Sequence, residues 1–117
     1  MAIRAGRLRD RVTFRERDPD AKDPETGQPY PPNHPGAWRD VVTVWAEVRD
    51  LAGRKFYEAQ AAEAQVTTEI RIRYRAGIRP DMRVRCGDRE WEIRAVQRPE
   101  NRRTELLIMC EELGAGT

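Results

Sequence analysis

Apolar and polar residues alternate through most of this chain, and the alternation keeps a period of two, the mark of strands with one buried face. In "RVTFRE" Val12 and Phe14 share one face, while Arg11, Thr13 and Arg15 share the other. "WRDVVTVWAEVRD" sets Val42, Val44, Ala46 and Val48 against Val41, Thr43, Trp45, Glu47 and Arg49. "VTTEIRIRYR" sets Val66, Thr68, Ile70, Ile72 and Tyr74 against Thr67, Glu69, Arg71, Arg73 and Arg75. A slip of one residue there would bury three arginines, so the register is firmly specified. Two further runs place Met82, Val84 and Cys86, then Trp91, Ile93 and Ala95, inward, leaving Arg83, Arg85, Glu90, Glu92 and Arg94 outward. In the last run, "RTELLIMCEE", Leu106, Ile108 and Cys110 face inward; Leu107 and Met109 make the second face partly apolar, so something covers it.

The breaks in this rhythm set the organisation. Residues 1–10 form a basic arm and 113–117 a frayed tail. "AGRKFYEAQAAEAQ" switches to strong helix formers, predicting a helix over 53–65 with a weak apolar stripe, suited to a sheet edge or a neighbouring subunit. Gly77 with Pro80, and Gly87 with Asp88, punctuate turns. Residues 17–37 hold six prolines and two glycines, which forbids a long regular element and makes a loop far longer than the usual ~4–6 residues. Two readings of that loop stand: a disordered hairpin tip, or a projection that orders against a partner. The expectation is one mainly β domain, a small antiparallel β-barrel of about six strands with one inserted α-helix and a long loop between strands 1 and 2.

Charge and chemistry narrow the function. The chain of 117 residues carries 22 basic and 20 acidic residues for a net +2, and only Lys22 and Lys55 of the basic set are lysines. A dedicated nucleic-acid binder shows a lopsided positive excess. Balanced Arg and Glu suit ion pairs between subunits, because guanidinium bonds carboxylate bidentately. Cys86, Cys110 and the lone His34 cannot supply the four ligands of a structural zinc site, and both cysteines read as small core hydrophobes. No catalytic motif is present, His34 sits in the proline-rich loop, and Glu111 and Glu112 point to opposite faces of a strand. No catalytic residue, metal or cofactor is expected. The opening residues lack a hydrophobic signal region and no apolar run approaches ~18 residues, so a soluble protein made in the cytoplasm is expected.

The arginine-rich run from Thr67 to Asp88 admits two explanations. Arg71, Arg73, Arg75, Arg83 and Arg85 could line a ribbon for nucleic acid, but stacking aromatics should then share that face, and Tyr74 faces the other way. Glu90, Glu92, Glu105 and Glu111 on the following strands could instead answer the charge across the sheet. Trp45, on a mainly polar face, suits a barrel end, a subunit contact or a site beneath the helix.

Four pieces in order, "AGRLRDRVTFRE", "WRDVVTVWAEVRDLAGRKFYEAQ", "TTEIRIRYRAGIRPDMRV" and "GDREWEIRAVQRPENRRTELLIMCEE", resemble the head–tail joining proteins of tailed bacteriophages, also called head–tail adaptors or head closure proteins. The resemblance spans the chain except the loop, which is richer in proline than the family's, and the tail. It implies a barrel with an inserted helix that assembles as a ring, commonly a dodecamer, joining a portal-bound adaptor protein to the tail or a tail-terminator protein in the virion. DNA would pass through without specific binding, and in some members the long loop helps close the channel. Prophages and gene transfer agents carry similar proteins. Under this reading Arg71, Arg73, Arg75, Arg83, Arg85, Trp45, Glu90 and Glu92 are candidate subunit-interface residues, and Asp18, Asp20, Asp23 and Glu25 belong to a channel- or tail-facing loop. An isolated subunit is then expected to be monomeric until a portal templates it. Two alternatives remain at this point: a small barrel that binds nucleic acid directly, and a tail-side ring protein such as a tail terminator.

Overall fold

The structure, a computed structural model, describes residues 8–31, 34–51, 66–98 and 104–113. Six antiparallel strands close into a barrel: β1 (Asp10–Arg17), β2 (Trp38–Asp50), β3 (Thr68–Arg73), β4 (Arg83–Cys86), β5 (Arg89–Gln97) and β6 (Glu105–Glu112). Around the barrel they run β1, β2, β3, β6, β5, β4, and β4 returns to β1. Closure removes most of the unpaired strand edges an open sheet would carry. The predicted barrel is therefore the observed one. The helix expected over 53–65 lies outside the described residues, as does most of the arm and of the tail.

The alternating apolar faces become the lumen. Val12, Phe14, Ala46, Ile70, Ile72, Met82, Val84, Trp91, Ile93, Leu106, Ile108 and Cys110 form one buried cluster, with Val42, Val44, Val48 and Tyr74 packed against it. Thr68 is a fully buried polar residue of this interior, and its hydroxyl is satisfied: Trp91 Nε1 donates to Thr68 Oγ1 across 2.9 Å. That bond links β5 to β3 through the core and removes the cost of burying an indole N–H unpaired. Leu8, in the basic arm, is also buried, so that segment contributes to the core after all.

Two irregularities reset the alternation. Between β1 and β2, Phe14 faces Val42 and Arg15 faces Asp40, so Val41 is an extra residue on β2. Strict alternation from Val42 would turn Asp40 inward; the bulge turns it outward, opposite Arg15. Between β5 and β6, Ile93 faces Cys110 and Ala95 faces Met109, so Arg94 is the extra residue. This corrects the expectation for Ala95: the bulge carries Val96, not Ala95, onto the core.

The proline-rich segment has local order within its described residues. Lys22 bridges Pro29 across a turn in which Gly27 takes φ +71°, a left-handed conformation suited to glycine. Asp18 N–H donates to Ala37 C=O at 2.8 Å, which ties shut the root of this loop, an acidic arm distinct from the basic one at residues 1–10. A single 3-10 turn, Pro35–Ala37, leads into β2; His34 caps it, its Nδ1 accepting from Gly36 N–H at 2.9 Å while its ring stacks on Tyr30.

Candidate assembly surfaces

Two groups of outward arginines among the described residues differ sharply in their partners. On the side of the barrel built from β1, β4, β5 and β6, they interlock with carboxylates in one unbroken chain. Arg85 reaches Asp40 (3.6 Å), and Arg15 Nε donates to the same carboxylate (2.9 Å). Arg15 also lies 3.8 Å from Glu90, which accepts from Arg83 at 3.3 Å. Arg83 continues to Glu92 (3.8 Å), Glu92 accepts from Arg94 (3.2 Å), and Arg94 ends on Glu111. Register explains why a chain forms where simple opposition would repel. Arg15 sits directly across from Arg83, and Glu92 directly across from Glu111. Glu90 lies between the first pair and the bulged Arg94 between the second, so each like-charge pair is bridged by its opposite.

Arg83 is nearly as enclosed as Arg15, its side chain 13% exposed against 10%. Its guanidinium lies over the Trp38 ring at 4.3 Å, and its Nε has no hydrogen-bond partner. The indole face covers that nitrogen, which substitutes a cation–π contact for a bond. Further round the barrel Arg71 pairs with Glu105 at 2.6 Å. Arg89 joins Asp50 and Glu112 at one end, packed over Trp91. These bonds raise the Arg89 pKa further above its ordinary value and hold the Glu112 carboxyl below the usual carboxylate range. Glu16 is lowered likewise by hydrogen bonds from Arg39 and Arg79.

The second population lies where β3 leaves β2. The two strands pair only from Asp50 back to Ala46, so the earlier part of β2 is paired on its β1 side alone among the described residues. Leu8, Arg11, Thr43, Trp45, Arg73 and Arg75 surround a groove of about 290 Å³ there, floored by Val44 and Tyr74. Trp45 is 51% exposed and Val41, nearby on the same strand, 47%; these are the large exposed hydrophobics of the described surface. Arg11 stacks over Trp45 at 4.9 Å. Neither Arg11, Arg73 nor Arg75 has a carboxylate within ion-pair distance among the described residues.

The candidate interface residues thus separate. Arg71, Arg83, Arg85, Glu90 and Glu92 are already engaged within the chain, whereas Trp45, Arg73 and Arg75 meet at the groove. Arg11 joins them, a residue that strand-by-strand reading of the sequence passed over because it enters from β1. Asp18, Asp20, Asp23 and Glu25 lie on the arm, away from both sets; Asp18 and Asp23 carboxylates accept from the backbone N–H groups of Asp20 and Glu25, and none of the four makes an ion pair among the described residues. Cys86 and Cys110 are free thiols whose pKa values burial pushes up, so neither is poised as a nucleophile. No group of three or more metal-ligating side chains gathers among the described residues.

Comparison with known proteins agrees with this architecture. The chain is similar over its full length to protein SF1141 from Shigella flexneri 2a, known from a solution structure: 31% identity, 98% of this chain and 100% of that one covered, TM-score 0.70. A component of the virion of a native gene transfer agent particle shares the fold at 24% identity, with 93% of this chain and 98% of that one covered and a TM-score of 0.56. No protein of curated function matches the chain. The model of the phage head completion protein family matches residues 3–113. With nearly the whole chain matched and the barrel in place, this protein belongs to the phage head completion family and is a structural, head-related protein of the virion.

Proposed function

We propose that this chain assembles as a ring on the portal-bound adaptor of a filled head, joins the head to the tail, and helps close the DNA channel. One observation carries the reading: among the described residues, the arginines of β4 and β5 are neutralised within the subunit, whereas Arg11, Arg73 and Arg75 surround a groove without ion pairs and the carboxylates of residues 18–25 form none. A subunit whose two unanswered patches are opposite in sign and differently placed favours head-to-tail contacts, which close into rings by rotation. Many modest charged contacts around such a ring set register and partner choice more than raw affinity. The family match supports the location in the particle.

Direct nucleic-acid binding is the competing reading, and the groove, with Trp45 and Tyr74 beside three arginines, is the feature that favours it. Deleting the gene from its phage, prophage or gene transfer agent separates the two. Ring-joining predicts DNA-filled heads and free tails that combine once the purified protein is added back. Normal yields of tailed particles without the protein would overturn it. A binder would also show steep loss of DNA affinity with salt.

A further inference from the structure

The groove beside Trp45 is cationic, and residues 18–25 of the same chain are rich in carboxylates. We infer that residues 18–31 of one subunit dock into the groove formed by Arg11, Trp45, Arg73 and Arg75 of its neighbour. The contact deepens the ring reading and rests on it for its place in the particle.

Three features of the groove point to an extended, acidic protein segment. Its three arginines have no carboxylate within ion-pair distance among the described residues, while the outward arginines on β4 and β5 have them. Its tryptophan is half exposed and supplies an apolar anchor of the kind that dominates protein contacts. The stretch of β2 before Ala46 has no strand partner on its β3 side among the described residues, an edge to which another chain can add backbone hydrogen bonds. The arm supplies the complement: Asp18, Asp20, Asp23 and Glu25 in one segment, held in turns by their own backbone and without ion pairs among the described residues. That local order lowers the entropy cost of docking.

No residue of the arm lines the groove of its own subunit. The arm is rooted at Asp18 and Ala37, next to Trp38, and the groove centres on Trp45, seven residues along β2. At ~3.3 Å per residue this is roughly 23 Å of strand. Arm and groove of different copies then supply the two unlike halves of a heterologous contact. A nucleic acid would use the same arginines but leave the arm's carboxylates unanswered.

The test uses the full chain with the photoreactive residue benzoylphenylalanine in place of Trp45, irradiated at high protein concentration and low salt. Dimers are expected, with the cross-link mapped to residues 18–31 of the second copy. Asp20→Arg with Glu25→Arg should cut their yield by more than about tenfold. Placing Arg73→Glu and Arg75→Glu in the photoreactive chain should then restore the cross-link to the arm-reversed partner, which a merely unfolded variant could not do. Cross-links mapping elsewhere, failure of this charge swap, or displacement of the dimer by a single-stranded oligonucleotide bound at the groove would overturn the proposal. Because the readout needs no phage head, it stands or falls separately from the joining function, which the gene deletion tests.

Discussion

The β4–β5 face and the β2–β3 groove use the same residue type in the same alternating rhythm, and they end in opposite states. On the first, Arg15, Arg83, Arg85 and Arg94 share four carboxylates in a continuous chain. On the second, Arg11, Arg73 and Arg75 face an open groove with Trp45. Local sequence does not separate "RIRYR" from "RVRC". Register does: Arg83 and Arg85 stand opposite Glu92 and Glu90, whereas β2 and β3 stop pairing at Ala46 and Ile72. Arginine density on a strand therefore says little about its purpose until the partner strand is known.

Both faces rest on one core, and removing its largest member should collapse the comparison altogether. Trp91→Ala is expected to cost ~3–5 kcal/mol, because it opens a cavity and also removes the donor to Thr68. Chemical denaturation would read this as a fall in midpoint with little change in slope. A smaller loss is expected from Arg83→Ala: roughly 1–3 kcal/mol, since Glu90 and Glu92 lose a partner and the Trp38 face is uncovered. Ordinary exposed ion pairs are worth less, so Arg79→Ala, which touches Glu16 and Asp81 at the surface, should be nearly neutral by the same assay.

The smallest expected effect is the acid limb. Glu112 and Glu16 have folded pKa values below their ordinary value of 4.5, so their contributions are fully present above that pH. They fade as the pH falls through the lowered folded values. Arg89→Met should flatten the part of this loss due to Glu112, measured as the change in thermal midpoint between pH 6 and pH 3.

Much of the barrel was legible because the lumen demands apolar residues at period two, and Val12, Phe14, Ile70, Ile72, Met82, Val84 and Ile108 all obey it. The failures lie where an extra residue resets the phase. Nothing local marks Arg94 as a bulge, so Ala95 was read inward where Val96 packs. The second bulge, at Val41, is what brings Asp40 out to Arg15, and it too is invisible without the partner strand. In the arm, six prolines rightly excluded a long element, yet "PETGQP" carried a turn signal: Gly27 at the positive φ that lets Lys22 bridge Pro29. Trp45, Arg73 and Arg75 could be suspected one by one. Their meeting with Arg11 depends on three strands brought together by the closed sheet, which no periodicity encodes.

The contrast between the closed face and the open groove is tested most directly by one variant, Arg73→Glu with Arg75→Glu, measured twice: for unfolding free energy and for incorporation into tailed particles. The account predicts stability within about 0.5 kcal/mol of the unaltered chain and near-complete loss from the particles. A clearly destabilised protein, or a stable one that enters tailed particles at normal yield, would contradict it.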